Sequence, residues 1–291
     1  MTEGALAGMP RAAKLLKEVV APTTLAAGLL FYFGWSHAYW FFDYFGVNST
    51  LLGLTYQDYL MRGLDGLFVP IVVLASVTLV AVWGGRLLEA RLEQLERYGR
   101  RSWWPPVLGG IGVVLCANGL SRIFVVTPLN RPLALAPVSL AAGVAMIAGA
   151  VHLRTAGQPR SDVVGLVEYV AVFVLIGLSL FWAANDYAAA VGRSRAAQFV
   201  RELPSYPEAI VYSEHDLNLT GIEMVSCADS DAAYRFRYDG LALVMQSDDH
   251  YVLLPKWWSR QEGVAVVLPR NESVRLEFVR ASAAASVSPT C

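Results

Sequence analysis

The side chains that could do chemistry in this sequence are mainly polar groups embedded in apolar runs. Arg122 lies in the stretch LCANGLSRIFVV, and Asn118 precedes it by four residues, so both would project from one face of a helix. A charge in hydrocarbon is costly and is therefore usually paired or functional. The stretch predicts a structural ion pair, part of a ligand or ion site, or an arginine that extends to the membrane surface.

Further polar residues fall near the predicted outer ends of the apolar segments around Arg122. We expect Asp186 to be the partner of Arg122, with Asn118 as a second contact and Asp43 as the competing partner. The candidate ligand or ion-pair cluster comprises Arg122, Asp186, Asn118, Asn185, His37 and Asp43.

Sequence motifs of enzymes and metal sites are absent. There is no HExxH, no GxSxG and no glycine-rich phosphate or dinucleotide motif, and the histidines lack metal-ligand spacing. The stretch SEHD, Ser213 to Asp216, contains the residue types of a hydrolase triad, but neighbours in one loop cannot adopt triad geometry. We therefore expect a protein that is not an enzyme, with no catalytic residue, no metal and no cofactor.

Composition places these groups in a membrane protein. Of the 291 residues, 55% are hydrophobic and only 16% are charged, which is unusual for a soluble protein. The net charge of -1 gives no indication of nucleic-acid binding. A helix needs about 20 residues to cross a bilayer. Five apolar segments have this length, approximately Val20–Phe42, Leu67–Gly85, Trp104–Val126, Leu133–His152 and Val164–Ala184.

The basic residues predict the orientation of these segments, because short cytoplasmic loops are enriched in arginine and lysine. With the N-terminus inside, the outer loops contain only Arg62 and Arg131, and Arg193, Arg195 and Arg201 after the fifth segment oppose the bias. We expect a multi-pass bacterial plasma-membrane protein with a cytoplasmic N-terminus and an extracytoplasmic C-terminal domain. The inner segments contain Arg11, Lys14, Lys17, Arg86, Arg91, Arg97, Arg100, Arg101, Arg154 and Arg160.

After the fifth segment the pattern becomes that of a small β-rich domain. The stretch YRFRY alternates aromatic residues with arginines, as a strand would, and Asp239-Gly240 predicts a two-residue hairpin turn. The predicted fold is a membrane all-α bundle of five transmembrane helices with a small C-terminal β-rich α+β domain. Its parts are a cytoplasmic segment (1–19), a transmembrane domain (20–190), a connector (191–206), an extracytoplasmic domain (207–280) and a flexible tail (281–291).

Two patterns concern the helices in detail. Thr55 is predicted to cap a short helix along the membrane interface, with Asp58 returning the bond. Ala141, Ala145 and Gly149 have the four-residue spacing of a small-residue face, which would let helices approach closely.

The three cysteines divide between the predicted domains. Cys116 lies in an apolar run and is expected to be a small packing residue. Cys227 and Cys291 would lie in an oxidising space if the domain is outside, and could form a disulfide that ties the tail to the domain. Two free thiols are the alternative.

The stretches FYFGWSHAYWFFDYFGVNSTLLGLTYQDYL and YRFRYDGLALV resemble those of uncharacterised multi-pass membrane proteins of high-GC Gram-positive bacteria. The resemblance implies an architecture and no function. The leading hypothesis is a non-enzymatic membrane protein whose outer domain binds, senses or scaffolds a partner. Its expected partners are the lipid bilayer and either a protein or a second copy of the chain. The alternative is an oligomeric channel or transporter that uses the polar cluster.

Overall fold

The computed structural model describes residues 21–96, 104–155, 162–227 and 232–280. These residues form helices followed by strands. The α-helices are α1 (Ala21–Asp43), α2 (Tyr56–Glu96), α3 (Trp104–Phe124), α4 (Leu135–Thr155) and α5 (Asp162–Glu202), with short 3-10 helices at Ser49–Leu52 and Leu203–Ser205. The strands are β1 (Glu208–Ser213), β2 (Met224–Ser226), β3 (Phe236–Gln246), β4 (His250–Pro255), β5 (Val266–Pro269) and β6 (Val274–Val279).

Helix covers most of each of the five predicted membrane segments. Within the described parts of the chain, the three helices α3, α4 and α5 are long and apolar enough to cross a membrane. Most of the large apolar residues on these helices are exposed, which is compatible with contact to lipid.

The described residues form two compact units. One contains α1 up to Trp35 and Leu60–Ala188, and the other contains Ser36–Tyr59 and the chain from Ala189 onward. The C-terminal unit therefore includes the end of α1, the segment after it and the end of α5, as well as the sheet. This division differs from the predicted one, because α5 continues as helix through most of the predicted connector, as far as Glu202.

Helices α3 and α4 pack through glycines. A Cβ atom added to Gly112 would lie 2.8 Å from the carbonyl oxygen of Gly143, and one added to Gly119 would lie 2.8 Å from that of Ala136. A Cβ atom on Gly143 would lie 2.6 Å from the carbonyl oxygen of Gly112. The two backbones therefore approach at a distance that any larger residue would prevent.

The small residues of α4 that are buried are not those of the predicted small-residue face, although Gly149 lies near Leu108 of α3. Ala145 is exposed, whereas Ala136, Gly143 and Ala150 are buried. These buried residues recur every seven positions, which keeps them on one side of the helix over two turns per repeat. The closest approach of α4 to α3 is therefore at Gly143, a small residue that the predicted spacing did not include.

The strands form one antiparallel sheet in the order β5-β4-β3-β1-β6, and β2 pairs with β3. Each side of the sheet has a hydrophobic core. One core joins Ala242 and Leu254 of the sheet to Phe42, Leu52 and Leu203. The other core contains Val211, Tyr238, Leu241, Leu253 and Leu268.

The predicted hairpin at Asp239-Gly240 is wrong, because β3 runs through both residues. Gly240 has φ +76°, and the pairing with β1 jumps from Val211–Tyr238 to Ala209–Leu241. Two residues of β3 thus oppose one of β1, which is a β-bulge. The backbone N–H of Gly240 in this bulge donates a hydrogen bond to Glu208 Oε1 at 2.8 Å. Hairpin turns and bulges both need a positive φ, so the dipeptide does not distinguish them.

The capping interaction predicted at Thr55 is confirmed. The backbone N–H of Thr55 donates to Asp58 Oδ2 at 2.9 Å, and the N–H of Asp58 donates to Thr55 Oγ1 at 3.3 Å. The helix that begins there is not short, however. It is α2, which continues to Glu96 with Pro70 inside it.

Candidate functional site: the polar cluster at the end of α3

Arg122 lies in the last turn of α3 and makes three contacts. Its Nη2 lies 3.6 Å from Asp186 Oδ2 of α5, with the two side chains 28% and 16% exposed. Its Nη1 donates to the carbonyl oxygen of Asn130 at 2.5 Å and has a longer contact with that of Arg131 at 3.4 Å. A cation at this position also interacts favourably with the C-terminal end of the helix dipole. The guanidinium thus joins α3 both to α5 and to the turn that follows α3.

Asn130 closes the turn between α3 and α4 and is fully buried. Its side-chain oxygen accepts from the N–H of Thr127 at 2.7 Å, and its amide nitrogen donates to Ser121 Oγ at 3.0 Å and Val125 O at 2.9 Å. Burial of an amide is tolerated when its polar atoms are bonded in this way. Sequence reasoning missed Asn130, although the turn-forming composition of TPLNRP was a signal for it.

The contact predicted between Asn118 and Arg122 is wrong. The amide nitrogen of Asn118 instead donates to Ser139 Oγ of α4 at 3.1 Å, and Ser139 Oγ donates to the carbonyl oxygen of Ala136 at 2.7 Å. The close approach of α3 and α4 at Gly119 brings Ser139 within reach of Asn118. Asn118 remains linked to the cluster through its carbonyl oxygen, which accepts from Ser121 Oγ at 2.7 Å.

The other predicted cluster residues do not all lie in one unit. Asn185 is half-buried on α5 beside Asp186, in the same unit as Arg122. His37 and Asp43 belong to the other unit: the His37 ring stacks on Phe41 with centroids 6.4 Å apart, and Asp43 is exposed at the end of α1. Among the described residues, the carboxylate that pairs with Arg122 is therefore that of Asp186.

The cluster is suited to holding helices together. One guanidinium faces one carboxylate, so the pair is formally neutral, and the amides of Asn118 and Asn130 are committed to protein partners. Within the described residues, no group of three His, Cys, Asp or Glu side chains is placed to hold a metal ion. The chemistry available is that of a structural hydrogen-bond network.

The SEHD stretch supports a loop beside β1. Asp216 Oδ1 accepts hydrogen bonds from the hydroxyl of Tyr238 at 2.7 Å and from the N–H of Asn218 at 2.8 Å. The buried Tyr238 hydroxyl also accepts from the N–H of Leu217 at 2.7 Å. The hydrogen bond from Tyr238, and then that from Asn218, lower the pKa of Asp216. Tyr238 therefore anchors this loop.

We expect Tyr238→Phe to destabilise the protein by about 1–2 kcal/mol, because the N–H of Leu217 loses its acceptor. The matched control is Tyr234→Phe, whose hydroxyl makes only an exposed bond to Glu272 O. Because the pKa of Asp216 is lowered in the folded protein, the ionised carboxylate stabilises the fold at neutral pH. This stabilisation is lost as the pH falls through the folded-state pKa. The difference in unfolding temperature between Tyr238→Phe and the wild type should therefore be smaller below about pH 4. A constant gap would contradict this role of Asp216.

The cysteines have separate places. Cys116 is a half-buried free thiol whose Sγ lies 3.9 Å from the carbonyl oxygen of Leu140, at the contact of α3 and α4. Cys291 lies outside the described residues, and so does the predicted disulfide between Cys227 and Cys291. That disulfide stays a prediction.

Two adjacent tryptophans of the C-terminal unit have opposite environments. Trp258 is buried in the core, with ring centroids 5.2 Å from Phe45 and 6.0 Å from Tyr44. Trp257 is 54% exposed, and its ring lies over Gly221, where an added Cβ atom would be 3.3 Å away. Trp257 is thus a surface aromatic residue held against the backbone. Sequence reasoning gave it no role.

A search of protein-family models, of curated proteins and of solved structures found no match to this chain.

Proposed function

We propose that this chain is a non-enzymatic integral membrane protein with five spans and an extracytoplasmic C-terminal unit that binds a partner. Helices α1 and α2 would supply the two spans beyond α3, α4 and α5. Support for α2 comes from its exposed Ile71, Leu79, Val80 and Trp83, since a row of large apolar side chains in water would be unfavourable. The ratio of basic residues in the loops supports a cytoplasmic N-terminus.

The topology predicts a definite outcome for reporter fusions. A reporter that is active only outside the cytoplasm should be active when fused after Arg280 and inactive when inserted between α2 and α3. A reporter active only in the cytoplasm should give the opposite pattern. Cytoplasmic activity after Arg280 would reject the proposed sidedness.

The polar cluster supports a binding protein over a pore. Its amides are bonded to protein groups, and its one described ion pair joins Arg122 to Asp186. A permeation site needs polar groups that can exchange partners with a passing ion. The groups of this cluster hold α3 to α4 and to α5 instead.

The proposal of a binding surface rests on the exposure of Trp257. Tryptophan is enriched among residues that dominate binding energy, and it buries a large area with little loss of conformational freedom. Trp257 is exposed while its neighbour Trp258 fills the core. A surface tryptophan held against Gly221 has its binding geometry set before the partner arrives.

The test compares the full-length wild type with Trp257→Ala by membrane-impermeant crosslinking on intact cells and quantitative mass spectrometry. We expect at least one crosslinked protein to be depleted in the variant, because removing a central aromatic residue costs about 2 kcal/mol or more of binding energy. Val264→Ala is the matched control, since Val264 is a smaller exposed apolar residue of the same unit. Identical crosslinks in all three proteins would reject Trp257 as the binding residue. Ion flux through vesicles containing the purified protein would favour the pore.

A further inference from the structure

We propose that Arg193 and Trp40 form a binding site for the phosphate of an anionic phospholipid in the outer leaflet. The inference rests on the proposed membrane topology. It adds a lipid ligand to the C-terminal unit, separate from the partner expected at Trp257.

The two side chains are stacked. The guanidinium carbon of Arg193 lies 3.9 Å from the centroid of the Trp40 ring, a cation–π contact. Arg193 is exposed and Trp40 is half-buried. Because Arg193 is exposed, a ligand can reach its guanidinium, and the planar N–H edge of a guanidinium matches the oxygens of a phosphate.

The backbone fixes this geometry. Gly192 lies against α1, where an added Cβ atom would be 2.8 Å from the carbonyl oxygen of His37 and 3.1 Å from the nitrogen of Phe41. This close approach holds Trp40 beside Arg193. The site is therefore organised before a ligand binds, which reduces the entropy lost on binding.

The charges around the site favour an anion. Arg195, two residues further along α5, is also exposed and contacts the neutral side chain of Gln198 at 3.3 Å. No carboxylate among the described residues forms an ion pair with Arg193 or Arg195. The charges of Arg193 and Arg195 are therefore not neutralised by a direct ion pair with a described carboxylate.

The position of the site favours a lipid as the source of that anion. Trp40 lies two residues before the predicted end of the first membrane segment, and tryptophans concentrate at the level of the headgroups. Arginines after the fifth segment oppose the inside bias of basic residues. An anionic headgroup would attract Arg193 at this position, because each arginine near an anionic membrane surface contributes favourable binding energy.

The test uses the purified full-length protein in detergent, with phosphatidylglycerol, phosphatidylcholine or inorganic phosphate added separately. Native mass spectrometry measures lipid binding and thermal unfolding measures stabilisation. We expect wild type to prefer phosphatidylglycerol, and Arg193→Gln to bind it roughly fivefold more weakly. Arg193→Lys, which keeps the charge and loses the planar edge, should be intermediate and guards against misfolding of the first variant. Arg270→Gln, which changes an exposed arginine just after β5, should bind as wild type does.

Each contrary result has a definite meaning. Equal binding of phosphatidylglycerol by wild type and Arg193→Gln would overturn the site, and an equal loss in Arg270→Gln would reduce it to general charge attraction. Equal stabilisation by inorganic phosphate would reject a lipid as the ligand. These measurements do not depend on sidedness. A cytoplasmic C-terminus in the reporter experiment, with the lipid preference intact, would reject only the outer leaflet.

Discussion

Gly112→Ala is expected to lower the free energy of unfolding by about 1–3 kcal/mol, the usual result of overpacking a close contact. The added methyl group would lie 2.8 Å from both the carbonyl oxygen of Gly143 and the side chain of Ile147. The carbonyl oxygen belongs to the backbone and cannot move aside, so α3 and α4 must separate. Separation would also weaken the bond from Asn118 to Ser139.

Gly110→Ala is the matched control for this prediction, because an added Cβ atom at Gly110 meets nothing within 4 Å. Both substitutions are in α3, and replacing a helical glycine by alanine gains up to about 1 kcal/mol of helix propensity. In detergent, the unfolding temperature of Gly110→Ala should therefore equal or exceed that of wild type, and the unfolding temperature of Gly112→Ala should be well below it. Equal midpoints for the two variants would show that α3 and α4 do not pack as described.

Reversing the charge of Arg122 or of Asp186 is the second change that we expect to lower the free energy of unfolding strongly. Arg122→Asp and Asp186→Arg should each destabilise the protein by about 1–3 kcal/mol, since each replaces an attraction between charges 3.6 Å apart with a repulsion in a partly buried site. The double variant should recover part of the loss and not all of it. A carboxylate at position 122 cannot donate to the carbonyl oxygen of Asn130, so that hydrogen bond stays broken.

Thermal unfolding of the four proteins forms a double-mutant cycle that isolates the pair. Arg131→Asp controls for a charge change on the neighbouring turn, because the Arg131 residue is exposed and contributes its carbonyl oxygen to Arg122. It should unfold close to wild type. If the double variant equals the sum of the two single variants, the residues do not interact, and Arg122 must instead be held by the carbonyl oxygens of Asn130 and Arg131.

The sequence was most informative where a pattern has one physical meaning. An apolar run of about 20 residues favours a helix, and helix covers most of each of the five such runs. Within the described residues, three of these helices are long and apolar enough to cross a membrane. The parity of the segments put Arg122 and Asp186 at the same end of their helices, and the structure places them 3.6 Å apart. The capping pair of Thr55 and Asp58 follows from a local rule and is present.

Prediction failed where one pattern fits two structures. Gly240 suits a hairpin or a bulge, and only the pairing of β3 with the distant strand β1 distinguishes them. The side chain of Asn118 could form a hydrogen bond along its own helix or across to α4. Because α4 packs closely at Gly119, the bond goes to Ser139. Trp40 and Arg193 are far apart in sequence, so nothing local indicated their contact.

The buried turn at Asn130 bears on the order in which the molecule assembles. Its side-chain bonds reach only to Ser121, Val125 and Thr127, so the link between α3 and α4 is completed by residues that leave the ribosome together. Contacts of short sequence separation form early, because little chain entropy is lost in closing them. The α3–α4 hairpin, with Arg122 bonded to Asn130, can therefore form from a continuous stretch of chain. The counter-charge of Arg122, Asp186, lies on α5 much further along the sequence, so we expect the ion pair to form after this hairpin.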